Sequence, residues 1–345
     1  MKQTEHQSYN ALATWLHSDY RKLAALYEQH GSWTRAFQKN EEQAGDAEAL
    51  WRIVEKQNIR LILQGDPEFP ALLREIPWTP HGLYALGAPL TAEPKLAIVG
   101  TRKATATGLA LAKRFGKDIS AAGLTIVSGL ALGIDAAAHE GALENDGRTI
   151  AVLACGLDTL YPKQNEQLAR RILKNKGTIV SEYPPNSPAL QQRFLERNRI
   201  TSGLCEGILV IEAPVKSGVK STARFAIEQN REVFVIPGPI THINYIGSHQ
   251  LIRSGAELIT QPSEILEQLG ITLKSASTLY TEGRFDKLEK KHKIILQALH
   301  ENGSPLSIDE LAERTEMTAA EVSEIITLLT LDGIIKEENG TYFIT

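Results

Sequence analysis

The residues able to do chemistry cluster in five polar loops, each following a short apolar run. After LAIV comes GTRKATATG, where Gly100 frees the backbone and Thr101, Arg102, Thr105 and Thr107 offer donors. Backbone N–H groups beside a helix start at Gly108 suit an anion, and the forked Arg102 guanidinium suits phosphate. After LTIV comes SGLALGID, with Ser128, Gly129, Gly133 and Ile134 forming a second tight turn into a helix. Asp135 in that helix's first turn either caps N–H groups or serves a ligand, and His139 within the helix reads as a packing histidine. After TIAVLAC, the loop GLDTLYPKQN brings Lys163 within reach of a phosphate. After GILVIEA, Lys216, Ser217, Gly218, Lys220 and Thr222 make a polar loop before another helix.

The segment SEYPPNSPALQQRFLERNRITSG is the most informative. Ser187-Pro188 predicts a helix start and Gly203 a stop. Arg193 and Arg197 are four apart and share a helical face, with Phe194 between them and Asn198 and Arg199 following. An aromatic among arginines suits a single nucleic-acid strand, because every base offers a face to stack on. The competing reading is an apolar stripe of Leu190 and Phe194 packed on a core. Glu182 and Glu212 each end a strand and are expected to cap helices or hold the arginines in place.

Several signatures are missing. GTRKATATG lacks G-x-G-x-x-G, and Ser128 stands where a ribose-binding acid belongs, so a dinucleotide reading loses its support. There is no Walker loop, nucleophile elbow or metal-ligand cluster. The expectation is a binding protein without catalytic residues, cofactor or metal.

The apolar runs that carry these loops are LAIVG, LTIVSG, TIAVLACG, GTIVSE, GILVIEA, EVFVIPG and AELIT. They are rich in β-branched residues without strict alternation, as strands buried on both faces are. Helical patterns separate most of them, which predicts an α/β, Rossmann-like, doubly wound parallel sheet. Ligands then bind beyond the carboxyl ends of the strands, where the five loops lie. This domain is assigned to residues 95–262. Before it, 1–65 reads as a small helical domain and 66–94 as a Pro-rich connector packing on the core. After it, 263–284 reads as a linker. Residues 285–345 show three helices and a hairpin, the order of a winged helix.

Charge follows these divisions. Residues 95–262 carry a net +6, whereas 285–345 carry −6, so a polyanion belongs on the middle domain. Between 304 and 345 there are 2 basic and 9 acidic residues, which predicts a tail that meets protein and not duplex DNA. Cys155 and Cys205 read as small buried residues, and no apolar leader or membrane-length stretch is evident. A cytoplasmic protein that makes no membrane contact is expected.

The motifs VGTR, SGLALGID, TIAVLACGLDTLYP, SEYPP, FLERNRI, EAPVKSG, and REVFVIPG followed by GSHQLIRSGAELI stand in the order of the DNA processing protein A family (DprA, also Smf). The sequence resembles that family over about residues 60–262, and more loosely at both ends. The resemblance implies an extended Rossmann fold with a SAM-like or helix-hairpin-helix-like N-terminal domain and a winged helix. It also implies a homodimer that binds single-stranded DNA. Such a protein protects incoming DNA in natural transformation and loads RecA onto strands coated with single-strand-binding protein. The family's phosphate-binding Arg falls on Arg102, its base-stacking Phe on Phe194, and the following basic residues on Arg197 and Arg199. Its Gly-rich loop falls on Ser128, Gly129, Gly133 and Ile134. Leu195 stands where many members have Pro, and His249 where Asn is usual. The alternative is a phosphoribohydrolase-like nucleotide-processing enzyme, but APVKSGVKSTARF lacks the Glu of that family's PGGxGTxxE signature.

Overall fold

In a computed structural model, residues 4–90, 94–271, 290–302, 305–331, 334–338 and 340–344 are described. The chain divides into two compact units, Met1–Ile271 and Thr272–Thr345. The first unit is built on a nine-stranded sheet. Its strands are β1 (Arg60–Leu63), β2 (Gly82–Gly87), β3 (Lys95–Val99), β4 (Thr125–Ser128), β5 (Thr149–Leu153), β6 (Thr178–Ser181), β7 (Gly207–Val210), β8 (Glu232–Val235) and β9 (Glu257–Leu258). The spatial order is β1-β2-β6-β5-β4-β3-β7-β8-β9. The seven strands β3 to β9 correspond to the seven apolar runs, and every pairing among them is parallel.

The edge strand β1 and its neighbour β2 correct the expectation for residues 1–94. β2 pairs antiparallel with β6, and β1 with β2. Arg60–Leu63 is therefore a strand where a helical segment was expected, and the Pro-rich stretch carries a strand of the central sheet. Alternation along the strands explains the arrangement. Leu61, Leu63, Leu153 and Ile179 enter the apolar layer on one face, while Ile62, Val152 and Val180 enter the layer on the other.

The helices are α1 (Glu5–Trp15), α2 (Tyr20–His30), α3 (Trp33–Lys39), α4 (Glu41–Ala44), α5 (Ala47–Lys56), α6 (Ala71–Arg74), α7 (Ala106–Ala121), α8 (Ile134–Glu144), α9 (Glu166–Lys174), α10 (Gln191–Gly203), α11 (Val219–Glu228), α12 (Ile246–Arg253) and α13 (Pro262–Gln268). α13 runs from Pro262 into the stretch 263–284 read as a linker. Pro262 at its start, a capping box of Gln261 with Glu264, and burial of Ile265 and Leu266 make it a helix. The remainder of that stretch, 272–284, lies outside the described residues. α10 begins at Gln191 and not at Pro188, because Asn186 is left-handed (φ 64°) and Leu190 is extended.

The second unit contains helices Lys290–Asn302, Ile308–Thr315 and Ala319–Leu331, followed by the hairpin Ile335–Glu338 and Thr341–Ile344. Ile295, Leu299, Leu311, Val322 and Ile326 form its core. Three helices and a hairpin on one core make a winged helix. Among the described residues no helix is long and apolar enough to cross a membrane.

His139, on α8, is fully buried and its ring shows why it packs and does not react. The Thr149 hydroxyl donates to the Ile126 carbonyl (2.8 Å), so His139 Nδ1 must carry the proton shared with Thr149 Oγ1 (2.6 Å). Nε2 is then a buried acceptor without a hydrogen-bond partner among the described residues. Burial, aided by the Arg197 charge, pushes the imidazole pKa down to about 3. The unfolded chain titrates near the ordinary value of about 6.5. Between those values the unfolded state binds more protons, so stability falls as pH drops through the window. His139→Asn, which keeps a donor and cannot ionise, is expected to flatten the acid limb of a stability-versus-pH curve. An unchanged slope in denaturant melts contradicts this.

Candidate nucleic-acid interface

The strand order reverses between β3 and β7, and a cleft of about 290 Å³ opens at their carboxyl ends. That is the switch point at which doubly wound sheets bind ligands. Its walls come from three directions: Gly100–Arg102 after β3, the face of α10 carrying Phe194, Arg197 and Asn198, and Lys216–Val219 at the start of α11.

Each wall is held in place by buried polar contacts. Thr101 N donates to the Glu212 carbonyl (2.9 Å), and Ile134 N to the Thr101 carbonyl (3.3 Å). Gly133 has φ 83°, and a Cβ there would lie 2.5 Å from Thr101 O and 2.9 Å from the Arg102 carbonyl carbon. Only glycine lets the loop before α8 pass this close to the loop carrying Arg102. Gly133→Ala is therefore expected to cost about 1–3 kcal/mol of stability and to weaken any binding that depends on Arg102. Denaturant melts and affinity measured together check both.

Arg197 is the central strut. It is buried, and Nη1 donates to the carbonyls of Gly129 (2.8 Å) and Val152, tying α10 to the ends of β4 and β5. A side chain at Gly129 would occupy the same space as this guanidinium. Asp135 accepts from Gly129 N (3.2 Å) and Ala131 N (3.3 Å), so it fixes the loop before α8. Burial raises its pKa, opposed by Arg197 and these N–H groups. Leu130 in that loop is left-handed (φ 59°), and Asn165 Nδ2 donates to its carbonyl (2.8 Å). Asn198 bridges α10 to α11, with Nδ2 donating to Ser221 Oγ (2.8 Å) and the Gly218 carbonyl (3.3 Å).

Glu212 changes the expected anion site. Its carboxylate, fully buried, accepts from Thr105 N (3.1 Å), the Thr105 hydroxyl and Asn244 Nδ2 (2.8 Å). It thus occupies the amino end of α7, where the sequence suggested a phosphate. The polar groups left facing the cleft are those of the Arg102 loop and of Lys216–Val219.

Arg102 is exposed and makes no ion pair or hydrogen bond among the described residues. Its guanidinium lies 5.0 Å from the Phe194 ring centroid. Phe194 is half-buried, with the Tyr161 ring 5.8 Å away. Tyr161 is 44% exposed and completes an aromatic rim that the sequence marked only as a loop beside Pro162.

The expected site residues therefore separate. Gly100, Thr101, Arg102, Gly129, Phe194, Arg197, Asn198, Ser217 and Gly218 line one cleft. Ser128 is buried and donates to the Ile98 carbonyl (2.6 Å), and Ile134 is core. Gly133 lies behind the Arg102 loop. Lys163 is exposed in a 3-10 turn, Lys163–Asn165, just before α9 and lines no part of the cleft. Lys220 belongs to α11, and its ammonium donates to Gln250 (2.6 Å). Arg193 is buried against the Tyr183 ring, 4.4 Å from its centroid, and donates to the Pro188 carbonyl (2.8 Å). Arg199 pairs with Glu182 at 2.6 Å, with side chains 1% and 6% exposed, on the other side of α10. Glu182 and Glu212 hold partners in place, as expected. Among the described residues no group of three His, Cys, Asp or Glu is placed to hold a metal ion.

A doubly wound sheet with a cationic, aromatic-rimmed cleft at its switch point, followed by a winged helix, defines a Rossmann-like protein with an appended winged-helix domain. A family model described as DNA recombination-mediator protein A matches residues 60–270, and one described as the DprA winged helix domain matches 285–341. The chain belongs to the DNA recombination-mediator protein A family. It is 40% identical to Protein Smf of Escherichia coli over 72% of this chain and 67% of that one. It is 36% identical to Protein Smf of Synechocystis over 83% of this chain and 80% of that one. Among solved structures, DNA processing protein A of Streptococcus pneumoniae aligns with a TM-score of 0.66 at 34% identity, covering 78% of this chain and 99% of that one. The Helicobacter pylori protein, described for its single-stranded DNA binding mode, aligns at 0.56 and 29% identity, over 61% of this chain and 95% of that one.

Proposed function

We propose that the switch-point cleft binds single-stranded DNA and that the chain works as a recombination mediator without catalysing a reaction. In this role it protects incoming DNA and helps load RecA during natural transformation, in the cytoplasm and as a homodimer. The observation that carries the reading is the Arg102 guanidinium, without an ion pair or hydrogen bond among the described residues, beside the half-buried Phe194 in a cleft whose walls Arg197 and Asn198 hold in place. A phosphate on Arg102 and a base on Phe194 give sequence-tolerant binding of an unpaired strand. The single-stranded DNA binding mode described for the H. pylori protein supports the same assignment. The dimer reading is supported by Ile240 and Ile243, 86% and 67% exposed in the segment between β8 and α12.

Arg102→Ala tests the reading. It is expected to weaken binding of all single-stranded sequences alike and to lower the log–log salt slope by about 0.7 for each phosphate it no longer neutralises. Unaltered affinity and slope contradict it.

A further inference from the structure

α10 has two faces with different neighbours. Phe194, Arg197 and Asn198 face the switch-point cleft, while Gln192, Arg193, Glu196 and Arg199 line a second cleft of about 560 Å³. The opposite wall of the second cleft is the turn from α1 into α2, with Tyr20, Arg21 and Lys22, and Trp78 closes it. Leu195, 50% exposed and adjoining the first cleft, stands on the outward ridge of α10 between the two.

The charges of the second cleft are unequally engaged. Its carboxylates already have partners: Glu182 pairs with Arg199, Glu196 accepts from the Tyr183 hydroxyl (2.6 Å), and Asp19 accepts from Lys22 N (3.0 Å) as the cap of α2. Arg21 and Lys22 are exposed, and their side chains have no partner among the described residues. Arg199 is almost wholly buried, yet its Nε has no hydrogen-bond partner among the described residues. Trp78 and Tyr20 stand edge to face at 5.8 Å, with the Arg199 guanidinium 5.1 Å from the Trp78 ring. The second cleft thus joins two exposed cations, Arg21 and Lys22, and two aromatic rings, Tyr20 and Trp78, in one lining, the combination of residue types found in the first cleft.

We propose that a strand longer than the first cleft can hold crosses the α10 ridge and enters the second cleft, where Arg21 and Lys22 take its phosphates and Tyr20 and Trp78 receive a base. The inference rests on the first cleft binding single-stranded DNA. It makes the α1–α2 turn part of the DNA path. A helix with its side chains is about 10–12 Å across, and a stacked strand advances about 3.4 Å per nucleotide. Crossing the ridge therefore takes about three or four nucleotides, and the second cleft is out of reach of a very short oligomer.

The test compares oligothymidylates of about 3 and about 20 nucleotides on the full-length chain, its Arg21→Glu/Lys22→Glu variant and an Arg102→Ala control. Glutamates in the first turn of α2 are compatible with the helix dipole, so the fold is retained. The double variant is expected to bind the short oligomer as the parent does. It is expected to bind the long one about tenfold or more weakly, with a salt slope lower by about 1.4 for two phosphates left unneutralised. Trp78→Phe is expected to weaken only the long oligomer. If Arg102→Ala weakens both oligomers while the double variant binds the long one like the parent, the second cleft is not on the DNA path. A parent chain that binds neither oligomer overturns the reading of the first cleft itself.

Discussion

Arg199→Ala is expected to destabilise the protein by about 3–5 kcal/mol, the usual loss when one partner of a buried ion pair is removed. The Arg199–Glu182 contact is 2.6 Å with both side chains almost fully buried, so solvent screens it little. Removing the guanidinium leaves the Glu182 carboxylate uncompensated in a low-dielectric setting. It also removes the donor to the Glu196 carbonyl (3.0 Å) and the cation against Trp78. Replacing both members together, Arg199→Met with Glu182→Met, is expected to recover most of the loss, since no buried charge then lacks a partner. Urea melts of the three chains decide the matter. On folded protein, binding of a short single strand is expected to be unchanged by Arg199→Ala. A stable variant with diminished affinity for that strand makes Arg199 a direct ligand of DNA in the first cleft.

Phe194→Ala is expected to weaken single-strand binding by about 1–3 kcal/mol, the range for losing one base–aromatic stack. Its position makes the loss specific. The ring is half-buried at the rim, between the Arg102 guanidinium and the Tyr161 ring, and is not part of either apolar layer of the sheet. The effect should be similar for all base sequences, and Phe194→Trp should restore binding. If the residue instead served the core, the variant would lose stability and the folded fraction would bind normally. Melting and affinity measured on the same preparation separate these outcomes.

Much of the architecture was legible because parallel strands buried on both faces are short, apolar and β-branched. LAIV, LTIV and GTIV announce themselves in this way. β1 and β2 were hidden for a physical reason. RLIL is only four residues long, and GLYALG lies among prolines, while an antiparallel pair added at one side of the sheet follows no alternation with helices. Residue spacing placed Arg193 and Arg197 on one face of α10, but Arg197 lines the first cleft and Arg193 the second. Nor does spacing say that both side chains are buried. Packing of α10 over the ends of β4 and β5 turns Arg197 toward backbone carbonyls and makes it a strut. Arg199, two residues on, turns away from the first cleft altogether. Glu212 shows the same limit. A carboxylate ending one strand was visible, but its seat at the start of α7 depends on β3 and β7 being neighbours, which no local pattern encodes. Trp78 and Tyr161 were passed over because each sits beside a proline or close to one, in segments read as connector and loop.

The most direct test of the central claim is a titration of single-stranded and duplex DNA over a range of salt concentrations, with the parent chain and Arg102→Ala side by side. The account predicts that the parent prefers the single strand, that its affinity falls steeply and linearly in log–log form with salt, and that Arg102→Ala lowers both affinity and slope. Equal affinity for duplex and single strand, with Arg102→Ala indistinguishable from the parent, would contradict it.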